Sequence, residues 1–329
     1  MKKTLIALAA VAATGASFAQ STVTIDGQVD LGVVKPIGTT GTRLDAANGS
    51  TQIRFRGSED LGGGLRANFV LAQRLSLESG NNDGTANGRP TFQGESTIGL
   101  SGGFGAVRLG RALSALQGPV NLTDPWGTLQ QASTALLTNG YATDPRQGDG
   151  AGLGRTDAIH YSSPNFGGFT GAISYGFKNS TASTPVLNTD AFTSVWLSYA
   201  AGPIYIGGGA ESNRRNDDMM AILGTYDFGA FKLGAGYGSV ELAAGNEHSN
   251  WNIMGIVPLG AMTVKVGYGV SKQDKGAGGV NVEADLVKKL GIGIDYPLSK
   301  RTLVYVSYGR DSVRTANKTG YDVGLRHTF

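Results

Sequence analysis

The chain has 329 residues, with 28 Lys and Arg against 25 Asp and Glu, no cysteine and 52 glycines. Near-balanced charge argues against a nucleic-acid partner held by bulk electrostatics, and the missing cysteines exclude disulfides as a source of stability. So much glycine argues against a helical core, because each interior helical glycine costs ~1 kcal/mol relative to alanine.

The amino end reads as an export signal. Met1-Lys2-Lys3 is basic, Leu5 to Thr14 is apolar and uncharged, and Ser17-Phe18-Ala19 offers small residues for a cleavage site. The apolar run is too short to cross a bilayer as a helix. Residues 1–19 are therefore expected to be a signal peptide, leaving residues 20–329 as one β-barrel. Loss of Lys2 and Lys3 takes 28 basic side chains to 26, against 25 acidic.

Sixteen segments of period-two alternation follow, beginning near Thr22, Ser50, Gly64, Phe92, Gly105, Arg155, Gly168, Asp190, Pro203, Asp217, Ala230, His248, Ala261, Glu283, Arg301 and Thr319. In the segment from Ala261, Met262, Val264, Val266, Tyr268 and Val270 share one face, and Thr263, Lys265, Gly267, Gly269 and Ser271 the other. Side chains alternate across a strand, so each segment has one apolar and one polar face. The segments run about ten to twelve residues, longer than the ~5–6 of soluble strands and suited to a tilted membrane strand. Tight turns (Asp60 to Gly63, Ser101 to Phe104, Pro164 to Gly167, Ala201 to Pro203, Pro297 to Lys300) alternate with longer polar stretches (Pro36 to Gly49, Gly80 to Thr91, Asn179 to Thr189, Lys272 to Asn281). Short turns at one end and long loops at the other are the habit of outer-membrane barrels. The expected fold is all-β, a 16-stranded antiparallel transmembrane β-barrel wide enough for an aqueous channel.

The stretch from Arg111 to Arg155 lacks alternation, and loops beyond ~12–15 residues are usually functional or disordered. Leu113, Leu116, Val120, Leu122, Trp126, Leu129, Leu136 and Leu137 make this one too apolar for disorder. Residues 112–154 are expected to fold into the lumen against the inner wall. Parity also assigns inward side chains. If Ile53, Phe55, Phe69 and Leu71 face lipid, then Gln52, Arg54, Arg56, Arg66 and Arg74 face water, and an Arg on the lipid face would cost ~2–4 kcal/mol at the midplane.

Several motifs resemble the general-diffusion porins of Gram-negative outer membranes, in particular their β-proteobacterial trimeric branch. They are Ser21-Thr22-Val23-Thr24-Ile25-Asp26-Gly27, the run Arg54 to Leu65, Ser101 to Gly105 leading to Leu109-Gly110-Arg111, and Tyr161 to Phe169. Leu298 to Thr302 and the terminal Gly324 to Phe329 complete them, in the family's order over the whole mature chain. The resemblance implies a homotrimer, a third extracellular loop that narrows the lumen, and a terminal Phe329 read by the barrel-assembly machinery. It also implies a basic cluster on the wall opposite that loop. Arg56, Arg111 and Arg155 fall at its positions, and Arg54 and Arg74 join them by parity. The chain departs from the family at Gln52 and Arg54, where the charge has moved one inward step along the strand, and at Gly94, where relatives can carry Arg.

Asp124 is the first acidic candidate on the loop side, with Asp144 and Asp149 behind it. An acidic loop facing a basic wall would set a transverse field, and few acids against several Arg would favour anions. Other signals point nowhere. Asp157 has the opposite strand parity to His160 and Ser162, so no triad converges. His248 and His327 are isolated, so no metal cluster is visible. Gly234-x-Gly236-x-Gly238 lacks the helix that a nucleotide loop requires and reads as a stretch where strands approach closely. The expected function is passive diffusion of small hydrophilic solutes and ions through an outer-membrane channel with a mild anion preference. No catalysis, cofactor or metal is expected. A substrate-specific channel is compatible with the same sequence, whereas a plugged barrel would not need an Arg cluster, and a lipase would need a nucleophile and base that are not found.

Overall fold

The computed structural model describes residues 22–82, 91–144, 154–178 and 190–329. The expected leader and its cleavage after Ala19 lie outside the described residues, as does Asp149.

Seventeen strands join in one sheet. The first nine are β1 (Thr22–Lys35), β2 (Arg43–Asp45), β3 (Gln52–Gly62), β4 (Leu65–Arg74), β5 (Glu95–Gly102), β6 (Gly105–Leu113), β7 (Arg155–Ser162), β8 (Phe169–Gly176) and β9 (Phe192–Ala201). The rest are β10 (Ile204–Ser212), β11 (Asp218–Asp227), β12 (Lys232–Glu241), β13 (Glu247–Leu259), β14 (Met262–Lys275), β15 (Asn281–Pro297), β16 (Thr302–Asp311) and β17 (Thr319–Thr328). From β3 onward each strand pairs antiparallel with the next. The ring closes through β1, whose first half pairs with β3 (Thr22↔Ser58 to Gln28↔Gln52) and second half with β17 (Gln28↔Thr328 to Lys35↔Tyr321). The three-residue β2 lies in the loop between β1 and β3 and adds to β1 at Gly32↔Asp45 to Val34↔Arg43. The other sixteen strands form the closed antiparallel barrel.

The burial pattern is that of a soluble protein turned inside out. Along β9, Val195 and Leu197 are exposed while Ser194, Trp196 and Ser198 are buried; along β17, Tyr321, Val323 and Leu325 are exposed while Asp322 is fully buried. Leu197 (62 %), Ile98 (64 %) and Val23 (67 %) show how far the outer face is apolar and bare. A contiguous surface of that kind is untenable in water and is what a bilayer covers. Among the described residues, helical structure amounts to a 3-10 turn at Ala277–Gly279, and no helix is long and apolar enough to cross a membrane.

The hairpin between β3 and β4 shows how sequence shapes a tight turn. Gly62 pairs with Leu65, so Gly63 and Gly64 are the two central residues, at φ 60° and 80°. A type I′ turn needs positive φ at both, which glycine reaches without strain. A one-residue register shift between Asp60 and Gly62 follows the turn, and beyond it Gln52 pairs with Arg74, on the same face as Arg54 and Arg56.

Candidate functional site

After Leu113 the chain leaves the wall and runs inside the barrel. Its first contacts are to β8, β9 and β10: Ala115 N–H donates to Ser174 Oγ (3.0 Å), Leu116 N–H to Ser194 Oγ (3.0 Å), and the Ser114 hydroxyl to Glu211. Farther along, the Thr123 hydroxyl donates to Asn252 Oδ1 on β13 (2.8 Å). The far end reaches β16 and β17, where Ala132 N–H donates to Ser307 Oγ (3.3 Å) and Gln131 N–H to Asp322 Oδ2 (2.6 Å). The chain then returns, with Asn252 Nδ2 donating to the Thr134 carbonyl (2.9 Å) and Asn250 Nδ2 to that of Asn139 (3.0 Å). These partners all sit on the inner face. The loop therefore lines the wall from β8 round to β17 and leaves the wall from β3 to β7 facing it.

Two features hold it there. Leu116, Val120, Leu137 and Tyr141 pack with Trp196, Met219, Leu223 and Val240 of the wall in one buried cluster. Second, the wall beneath the loop is glycine. A β-carbon on Gly238, Gly291 or Gly309 would collide with the carbonyl oxygens of Leu137, Ala132 and Gln131, and one on Gly267 would stand 2.7 Å from the Trp126 ring. The Gly234-x-Gly236-x-Gly238 pattern, expected to let strands approach each other, makes room at Gly236 and Gly238 for the loop.

Asp124 departs from expectation. Its carboxylate is buried and accepts from Thr128 N–H (2.9 Å), the Ser133 hydroxyl (2.8 Å) and Thr134 N–H (2.9 Å). It braces the loop from within, and holds Thr128 at φ 76°, a rare value for a branched residue. Burial raises its pKa against the lowering effect of these hydrogen bonds and of Lys289. Asp144 is also buried, next to the Thr156 hydroxyl. From Ala112 to Asp144 these two are the only carboxylates and there is no Lys, Arg or His, so this described part of the loop offers the lumen a neutral face.

The facing wall is charged. Arg54 Nε donates to Asp26 Oδ1 (2.5 Å), and Arg56 Nε lies 3.0 Å from Asp26 Oδ2, so the two guanidinium groups share one carboxylate. Arg74 and Arg155 border a cavity of about 600 Å³ with Gln52 on the wall and Asn121, Thr128 and Asn139 on the loop. Arg111 donates to the Gln93 carbonyl (3.2 Å). Arg74 and Arg111 both act electrostatically on Arg155, with Glu95 as the opposing charge. Glu95 also accepts from Arg108 Nη1 at 2.9 Å. The structure thus brings Arg74, Arg111 and Arg155 together and puts Arg54 and Arg56 around Asp26. Arg66 lies one residue from the β3–β4 turn, at the short-turn rim.

Sequence reasoning missed Asp26, Glu95 and Arg108. Asp26 was within reach: it alternates with Val23 and Ile25 on β1, so parity sends it inward. Arg214, almost wholly buried, was not. It donates to the Thr156 hydroxyl (2.8 Å) and the Asp157 carbonyl (3.2 Å), bracing the start of β7 from a loop 57 positions away in sequence. Asp157 is exposed, whereas His160 is buried with Nδ1 2.8 Å from Ser174 Oγ, so the divergence expected from parity holds. Among the described residues no cluster of His, Cys, Asp and Glu could hold a metal ion.

Comparison with known proteins agrees with this geometry. A family model described as Gram-negative porin matches residues 4–316. Outer membrane porin protein 32 of Delftia acidovorans is 29% identical over 368 aligned residues, with both chains covered in full. The major outer membrane protein P.IB of Neisseria meningitidis serogroup B is 30% identical over 369, again in full. Among solved structures, an anion-selective porin from Comamonas acidovorans superposes with a TM-score of 0.77 at 25% identity, covering 94% of this chain and 100% of that one. OmpF of Salmonella typhi shares the fold, with a TM-score of 0.72 at 15% identity over 93% of this chain and 97% of its own. The chain belongs to the Gram-negative porin family, with β-proteobacterial porins among its homologues, and forms a diffusion channel in the outer membrane.

Proposed function

We propose that the channel passes small hydrophilic solutes with a preference for anions, set where the inner loop faces the arginine wall. The observation that carries this reading is the lining of the cavity between them: Arg74 and Arg155 on one side, uncharged loop residues on the other, and no acid among the lining residues. A pore selects by width and by the charge at its narrowest point. The wall bears guanidinium groups that outnumber the carboxylates of Asp26 and Glu95, and the acids of the loop's described part, Asp124 and Asp144, are buried, so a cation gains nothing by crossing to that part of the loop. The Comamonas relative described as anion-selective is consistent with this. The test is the zero-current potential of the purified protein in a planar bilayer under a KCl gradient. A potential of the anion-selective sign is expected; a cation-selective one would overturn the reading.

The working form is a homotrimer in outer-membrane lipid, exported through a leader cleaved after Ala19 and assembled through its C-terminal strand. No chemical step is assigned, because Asp157 diverges from His160 and Ser174.

A further inference from the structure

Beneath the root of the inner loop lies a second recess, about 420 Å³, on the inner faces of β6 to β10. It is separate from the arginine-lined cavity but borders it at Leu113, which lines both. Its lower side is built at the short-turn ends of the strands, from Arg108, Ser162, Thr170, Ser198 and Tyr205, so a solute that has passed the loop meets it on the periplasmic side.

The hydrogen-bond inventory separates groups already engaged from groups that remain available. His160 Nε2 lies 3.2 Å from the Gly110 carbonyl, so it carries the proton, and Nδ1 accepts from Ser174 Oγ. Ser174 Oγ also accepts from Ala115 N–H, which engages that hydroxyl with the loop. Ser163 is likewise engaged, donating to the Pro164 carbonyl and accepting from Gly171 N–H. Besides the Ser162 hydroxyl, which also lines the recess, three donors remain. Tyr205 Oη accepts from Trp196 Nε1 at 3.3 Å, leaving its own O–H to donate. The Thr170 and Ser198 hydroxyls are 2.9 Å apart and use one hydrogen between them, leaving the other. Arg108 gives one N–H to Glu95 and stays 39% exposed. Beside these donors lie Ala115, Pro119 and Ala172 and the edge of Trp196. A wall that only holds water has no use for an apolar floor beside several donors; a sugar-like carbon chain with C–H groups and several oxygens does.

We propose that this recess is a binding subsite for a sugar acid of about hexose size, its carboxylate toward Arg108 and its hydroxyls accepting from Tyr205 and the Thr170–Ser198 pair. The proposal rests on the open-channel reading. The test is single-channel recording in KCl with gluconate, glucose or propionate added to either chamber. Gluconate is expected to interrupt the current with dwell times several-fold longer than propionate, which has the charge without the hydroxyls, and than glucose, which has the hydroxyls without the charge. Its interruptions should be more frequent from the periplasmic side. Tyr205→Phe removes one donor and should shorten the gluconate dwell by about fivefold, the effect of one lost hydrogen bond. Thr170→Val with Ser198→Ala should do the same, and conduction of these variants in KCl reports that the barrel is assembled. Equal dwell times for the three solutes in a conducting channel, or an unchanged gluconate dwell in the conducting variants, would overturn the subsite alone. Failure of the unaltered protein to conduct KCl would overturn the channel reading beneath it.

Discussion

Arg54 and Arg56 share the Asp26 carboxylate, so together the three groups carry one net positive charge. Replacing both arginines with Gln should leave Asp26 alone on the wall and reverse that local charge. The zero-current potential should then move toward cations by more than for Asp26→Asn combined with the same pair. Equal shifts would mean that Asp26 does not face the permeating ions. Parity made the two arginines legible because Ile53 and Phe55 leave them no other face. Asp124 was legible as a loop acid but not as a buried one. Its environment is made by a fold-back that depends on partners such as Asn252, 129 positions from Thr123, and no local pattern announces such a contact. Asp124→Ala would leave the buried Thr134 N–H without its acceptor, at about 1–3 kcal/mol, and free the half-buried Thr128 N–H and the Ser133 hydroxyl. The predicted result is a looser loop, read as larger current fluctuations and faster proteolysis within residues 114–144 while the barrel itself remains resistant. A quiet, protease-resistant variant would remove Asp124 from the loop's support.

Among the elements, the loop and the wall beneath it are matched surfaces. The glycines at 238, 291 and 309 admit the loop backbone where any β-carbon would meet a carbonyl oxygen. Gly309→Val should therefore lift the loop from β16 and alter single-channel conductance, with no loss of heat-resistant barrel, since the new side chain projects into the lumen and not into the strand pairing. An unchanged conductance would show that the loop does not set the pore's width. Strand positions were readable nearly to the residue: each expected start falls within three residues of a barrel strand's first residue, because alternation ends where turn residues begin. The small β2 was not foreseen. Three residues are too few to show a period, and this strand exists because the upper part of β1 has an edge left open above Gln28. The loop's inward course could be inferred from its apolar content, but not its route from β8 to β17 and back.

For the whole molecule, the closing seam runs to the last residue. Phe329 and Gly27 exchange both backbone hydrogen bonds at 3.1 Å, extending the β1–β17 seam. Deleting Phe329 should lower the yield of assembled barrel in the membrane; a normal yield would deprive the terminal residue of an assembly role. Fold class, strand number and membrane setting were legible because the lipid solvent imposes one rule on every segment, apolar out and polar in. The charges behind the proposed selectivity were only half legible. Those of the wall follow from that same rule, but the burial of Asp124 and Asp144 follows from packing. The most direct test of the account compares zero-current potentials in a KCl gradient for Arg74→Gln/Arg155→Gln and for Asp124→Asn. The account predicts a clear shift toward cations for the arginine pair and little change for Asp124→Asn, whose carboxylate is hidden in the loop. An equally large shift toward anions in Asp124→Asn, with none in the arginine pair, would contradict it.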